Sequence, residues 1–195
     1  MTTTWPDWLQ ELHVRLDGES PGEHIARIVR ALDGVSLVHE RERLEQLFRA
    51  NEQPDREAIV ASWQTNCASA ARAILALAGV EPQDAALLAP LEVGEAMARL
   101  RGGCERARLP ATEWRRLGPG WLMVYWHTGN DAHAEWCLTV PDAYGRAMHG
   151  GGGRSQNAIT VQGPSDIRWS LGRPLQEIYD PAQLATNPAR GDNPY

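Results

Sequence analysis

WLMVYWHTGNDAHAEWCLTV, residues 121–140, decides the fold. Its first six residues, 121–126, are all apolar, a short aromatic run that suits a strand buried on both faces. Thr128-Gly129-Asn130-Asp131 is a turn cluster. From residue 133 to 140 the pattern alternates. Ala134, Trp136, Leu138 and Val140 share one face, and His133, Glu135, Cys137 and Thr139 share the other. Downstream, Pro141-Asp142-Ala143-Tyr144-Gly145 reads as a second turn, with strands expected near 146–149, 158–162 and 168–171.

Upstream the period is helical. Ser20-Pro21-Gly22-Glu23 is a helix start: a hydroxyl cap, Pro in the first turn and Glu three residues after Ser. Ile25, Ile28, Val29 and Leu32 follow at helical spacing, and Gly34 is placed to end the helix. Further helices are expected over 40–49 and 54–62, over 67–78 running into Gly79, over 91–101 before Gly102-Gly103, and over 111–117 before Gly118-Pro119-Gly120. Helices first and strands second predict an α+β chain, its helical N-terminal half packed on a C-terminal antiparallel sheet. The expected division is a helical extension over 1–53, a main domain over 54–186 and a flexible polar tail over 187–195.

Composition narrows the partners. The chain has 195 residues and no run of about 20 apolar residues, so no membrane span is expected. The start, MTTTWPDWLQELH, has no basic region followed by an apolar core. Cytoplasmic synthesis is the expectation, with export by a route lacking a signal peptide left open. Net charge is −6, and all 19 basic residues are Arg. Without Lys there is no Schiff-base chemistry and no Walker-type phosphate loop. Residues 1–100 carry 9 Arg and 16 acids, against 10 Arg and 9 acids over 101–195. A net acidic chain without a basic tract is a poor nucleic-acid binder, whereas the acidic N-terminal helices offer a surface for a protein partner. Three widely spaced cysteines, Cys67, Cys104 and Cys137, make neither a disulfide framework nor a zinc ribbon, and no metal or other cofactor is expected.

Cys67 carries the sharpest chemical signal. It follows the cap-like Thr65-Asn66 at a helix start, where unpaired N–H groups and the helix dipole favour a thiolate and can bind an oxyanion. Alanines at 68, 70, 71, 73, 76 and 78 let that helix lie close on a sheet, from which His133 would supply a base. The plainer reading makes Cys67 a small core residue. Cys104 reads as a loop or packing residue, Cys137 as a packing residue, His127 as the end of a strand, and His13, His24 and His39 as exposed. Trp63 and Trp126 are candidates to line a groove, and Arg154, after the Gly150-Gly151-Gly152-Gly153 loop, to meet a substrate carboxylate.

At these residues the chain resembles the NlpC-like cell-wall hydrolases, papain-fold cysteine peptidases that cut peptidoglycan stem peptides. Asn66-Cys67-Ala68-Ser69 is similar to the nucleophile motif and Leu117-Gly118-Pro119-Gly120-Trp121 to the turn into the next strand. His133-Ala134-Glu135-Trp136-Cys137-Leu138 is similar to the base strand and Gly145-Arg146-Ala147-Met148-His149 to the third-residue segment. The similarity spans about residues 60–160. It departs from the family at Asn66, where Asp is usual, at Ala68 for Ser, at Trp121 for Asp and at Glu135 for Gly. The resemblance implies a papain-like fold and a Cys67–His133–His149 site acting on an amide in a peptide or peptidoglycan substrate. A hairpin centred on Ala143 would set His149 opposite Cys137, roughly 13 Å along the strand from His133. A bulge could restore the approach, and Gln156, Asn157 and Asp131 are the alternative third residues. A non-catalytic binding module and a cysteine-dependent acyltransferase are the competing readings.

Overall fold

The computed structural model describes residues 11–34, 67–80, 100–107, 109, 111–127, 130–147, 159–163 and 175–185. Helix α1, Pro21–Ala31, begins with the expected reciprocal cap. Ser20 Oγ accepts the Glu23 N–H, and Glu23 Oε2 accepts the Ser20 N–H at 2.8 Å. Helix α2, Cys67–Leu77, stops at Gly79, whose φ of +70° suits glycine. There the Val80 N–H reaches back to Leu75 O at 2.8 Å and the Gly79 N–H to Ala76 O at 3.0 Å, which satisfies carbonyls left open by the helix end. Residues 100–103 are helical, so the helix expected to stop at 101 continues through both glycines. A 3-10 helix, Ala111–Arg116, occupies the segment read as 111–117.

The described residues contain six strands: β1 (Glu105–Arg106), β2 (Leu122–His127), β3 (Asn130–Val140), β4 (Ala143–Ala147), β5 (Ile159–Gln162) and β6 (Leu175–Asp180). They form one sheet in the order β1-β6-β2-β3-β4-β5 with every pairing antiparallel, and a 3-10 turn, Pro181–Leu184, closes the described chain. The class is α+β, with both helices packed on the sheet. No described helix is long and apolar enough to cross a membrane.

The two sheet faces bury different sets. Leu122, Val124, Trp136, Leu138, Val140 and Tyr179 join Ile25, Ile28, Val29, Ile74 and Leu75 of the helices in the main core. Met123, Tyr125, Cys137, Tyr144 and Ile178 line the other face beneath Trp114, whose ring meets Tyr144 edge-on at 5.4 Å. Leu122 to Tyr125 are each 0% exposed, as a strand covered on both sides requires. Each buried Leu, Ile or Val contributes about 1.5–3 kcal/mol relative to exposure.

Three expectations are corrected. The second turn is only Pro141-Asp142, because Asp142 adopts φ 58° and Val140 pairs directly with Ala143. Tyr144 and Gly145 therefore belong to β4, where a side chain at 145 would collide with Val29 of α1. Strand β3 opens at Asn130, three residues before His133. His24 is not exposed but 1% accessible, since the segment before α1 folds back over it. Helix α1 lies in the same core as the sheet. The segments expected at 40–49, 54–62, 168–171 and 187–195 lie outside the described residues.

Candidate functional site

Cys67 is the first residue of α2, and no acidic side chain follows it in the first turn to compete for the helix dipole. Ala70, Ala71, Ala76 and Ala78 are buried, so the helix rests closely on β3 and β4. Its far end is tied down: His13 Nδ1 donates to Leu77 O at 2.9 Å, and the neighbouring Leu12 carbonyl accepts from His24 Nε2 at 2.8 Å. His24 lies in the first turn of α1, and that turn abuts the glycine turn at 118–120. There the Gly120 N–H donates to Thr139 O at 2.8 Å, which marks the end of the sheet where β2 starts and β3 finishes. Cys67 stands ten residues back from Leu77, about 15 Å along the helix axis.

His133 is the fourth residue of β3. Between the pairs Trp126↔Ala134 and His127↔Asn130 the register shifts, so positions 131–133 have no counterpart on β2. Below the shift the alternation is regular. Trp136, Leu138 and Val140 lie on the helix side and Cys137 on the opposite side. Asp131 falls in the same irregular stretch, and Trp126 of β2 is flanked in register by Ala134 and Leu175. The two-residue hairpin also moves β4 relative to the expected register: Leu138 pairs with Gly145. His149, Trp63, Arg154, Gln156 and Asn157 lie outside the described residues. Cys104 is half-buried against the main core, and Cys137 is 0% exposed, in the packing role expected of it. Among the described residues no group of three or more His, Cys, Asp or Glu side chains is arranged to hold a metal ion.

One polar cluster went unread in the sequence. Glu177 of β6 accepts from Arg101 Nε at 3.2 Å and Nη2 at 2.8 Å, and from the Tyr179 hydroxyl at 2.8 Å. Burial by itself raises the Glu177 pKa, yet the Arg101 guanidinium and Tyr179 hydroxyl outweigh it and hold the carboxyl below its ordinary 4.5. Burial raises that of Tyr179, and its Glu177 partner adds to the effect. No strand is expected at 175–180 from the sequence, so the shared face of Glu177 and Tyr179 went unread with it, and Arg101, 76 residues away, carried no signal. The chain matches no family model, no curated protein and no solved structure.

Proposed function

We propose that this chain is a papain-like cysteine hydrolase of the NlpC type, cleaving an amide bond with Cys67 as nucleophile and His133 as base. The observation that carries the reading is the position of Cys67 at the start of a helix that packs on β3, the strand containing His133. One further feature supports it. The Leu77 end of α2 is tied toward the closed end of the sheet, and β3 runs from Asn130 toward that same end.

In the proposed reaction His133 takes the Cys67 thiol proton and the thiolate attacks the substrate carbonyl carbon. The Cys67 N–H holds the oxyanion. Collapse breaks the C–N bond, and the imidazolium gives its proton to the leaving amine. Water, deprotonated by His133, then cleaves the thioester and restores the thiol. His149 would orient the imidazole, while Trp63, Trp126 and Arg154 would line the substrate groove. Peptidoglycan stem peptides are the first substrates to test, and docking of a protein on the acidic N-terminal helices belongs to the same proposal.

The reading makes one demand on the backbone. Strict alternation from Cys137 assigns position 133 to the face away from α2. The three unmatched residues of β3 must therefore reset the alternation. Without that reset the second reading, a binding module with a structural Cys67, is favoured. Peptide hydrolysis decides. Cys67→Ala and His133→Ala should each lower turnover by about three orders of magnitude or more, with folding retained by circular dichroism. Undiminished hydrolysis by Cys67→Ala ends the assignment. Below about pH 8, iodoacetamide should label Cys67 faster than Cys104 or Cys137, whereas equal, slow labelling supports the module.

A further inference from the structure

The segment before α1 is held by two separate fastenings. At its outer part, His24 Nε2 donates to Leu12 O at 2.8 Å and His13 Nδ1 to Leu77 O at 2.9 Å, while the Leu12 side chain packs on the main core. A carbonyl only accepts, so His24 carries its hydrogen on Nε2, and Nδ1 is where a second proton would bind. Nearer α1, Arg27 Nη2 donates to Val14 O at 2.7 Å, and Arg27 Nε pairs with Glu19 Oε1 at 2.7 Å. Glu19 Oε2 in turn accepts the Leu16 N–H at 2.9 Å. Gly18, at φ +76°, makes the turn between the arm and the helix.

We propose that the histidine fastening is an acid-released latch: protonation of His24 frees the helical turn at 11–13 from α1 and from the end of α2, while Arg27 keeps the arm tethered. Charge around His24 favours this. Its ring is 1% exposed, and the charged or titratable groups facing it among the described residues are Arg27 on α1 with Glu19 and His13 on the arm. Burial lowers its pKa, the Leu12 carbonyl raises it, Arg27 and His13 lower it and Glu19 raises it, for a net value below 6.5.

A His24 ring exposed by opening would titrate near its ordinary 6.5, so the open arm binds more protons than the closed one. Opening is therefore favoured as pH falls below 6.5. The second fastening survives that change. Burial alone raises the Glu19 pKa, but Arg27 and the Leu16 N–H hold it below 4.5. Between those values the arm swings from Val14 without leaving the molecule.

Hydrogen exchange on the full chain tests the latch. From about pH 7.5 to about pH 5.5, exchange over 11–14, corrected for intrinsic rate, should rise, with about tenfold as the ceiling set by an open ring at its ordinary value. The Leu16 amide and the amides of β2 should keep their protection. His24→Gln, which retains a donor for Leu12 O but gains no proton, should abolish the rise. Unchanged exchange over 11–14, simultaneous loss of β2 protection, or an equal rise in His24→Gln overturns the proposal. If His24→Gln does not fold, the wild-type His24 ring titration followed by NMR decides: its midpoint must coincide with arm opening, and a separate midpoint rejects the latch.

Discussion

Thr139 joins two elements through one hydroxyl. Its Oγ1 donates to Gly118 O at 2.7 Å and accepts the Trp121 N–H at 2.8 Å, and the residue is 2% exposed. The hydroxyl thus fixes the turn that α1 rests on, where a side chain on Gly120 would come within 2.6 Å of Gly22 O. Thr139→Val keeps the shape and removes both bonds, so it should cost about 1–3 kcal/mol, read as a lower urea midpoint at unchanged slope. Alternation placed Thr139 with Cys137 on one strand face, but a β-branched residue in a strand carries no mark of such a task. The same holds for His24. Its helix was legible; its burial depends on the carbonyl of Leu12, supplied by a fold-back that no local pattern announces.

Among the elements, strand β6 is joined to the helical end at 100–103 by the Arg101–Glu177 pair. Because Glu177 titrates below 4.5 in the folded chain, its contribution is present above 4.5 and is lost as pH falls through the folded value. Glu177→Gln should therefore lower thermal stability at neutral pH and flatten the acid side of the stability profile. At strongly acid pH the variant and the parent should converge, as scanning calorimetry across pH would show. Arg101 is half exposed, so the effect should be modest. Helices α1 and α2 were read within a residue or two, because the capping box of α1 and the glycine stop of α2 are local chemistry. The β3–β4 turn was misjudged because Asp142 tolerates the left-handed conformation that a two-residue connection needs.

For the whole molecule, α1 is part of the core. Val29 is 0% exposed and faces Gly145 of β4, and the end of α1 also closes the outer edge of β5. There Asp33 Oδ1 accepts the Val161 N–H at 2.8 Å and the Gly34 N–H donates to Ile159 O at 2.7 Å. A chain beginning at residue 54 should consequently lose its cooperative thermal transition and associate through the uncovered strand, measurable by calorimetry and light scattering. Retention of a sharp transition would support the boundary at 53.

The sequence by itself determined the α+β order, the capped helices and the doubly buried β2, since each follows from neighbours a few residues apart. It also put Cys67 at a helix start. Only the tertiary structure decided that α1 shares the core, that Glu177 finds Arg101, that Leu12 covers His24 and that β3 carries three unmatched residues before Ala134. Those outcomes depend on which surfaces meet after collapse, and partners tens of residues apart leave no periodic trace along the chain.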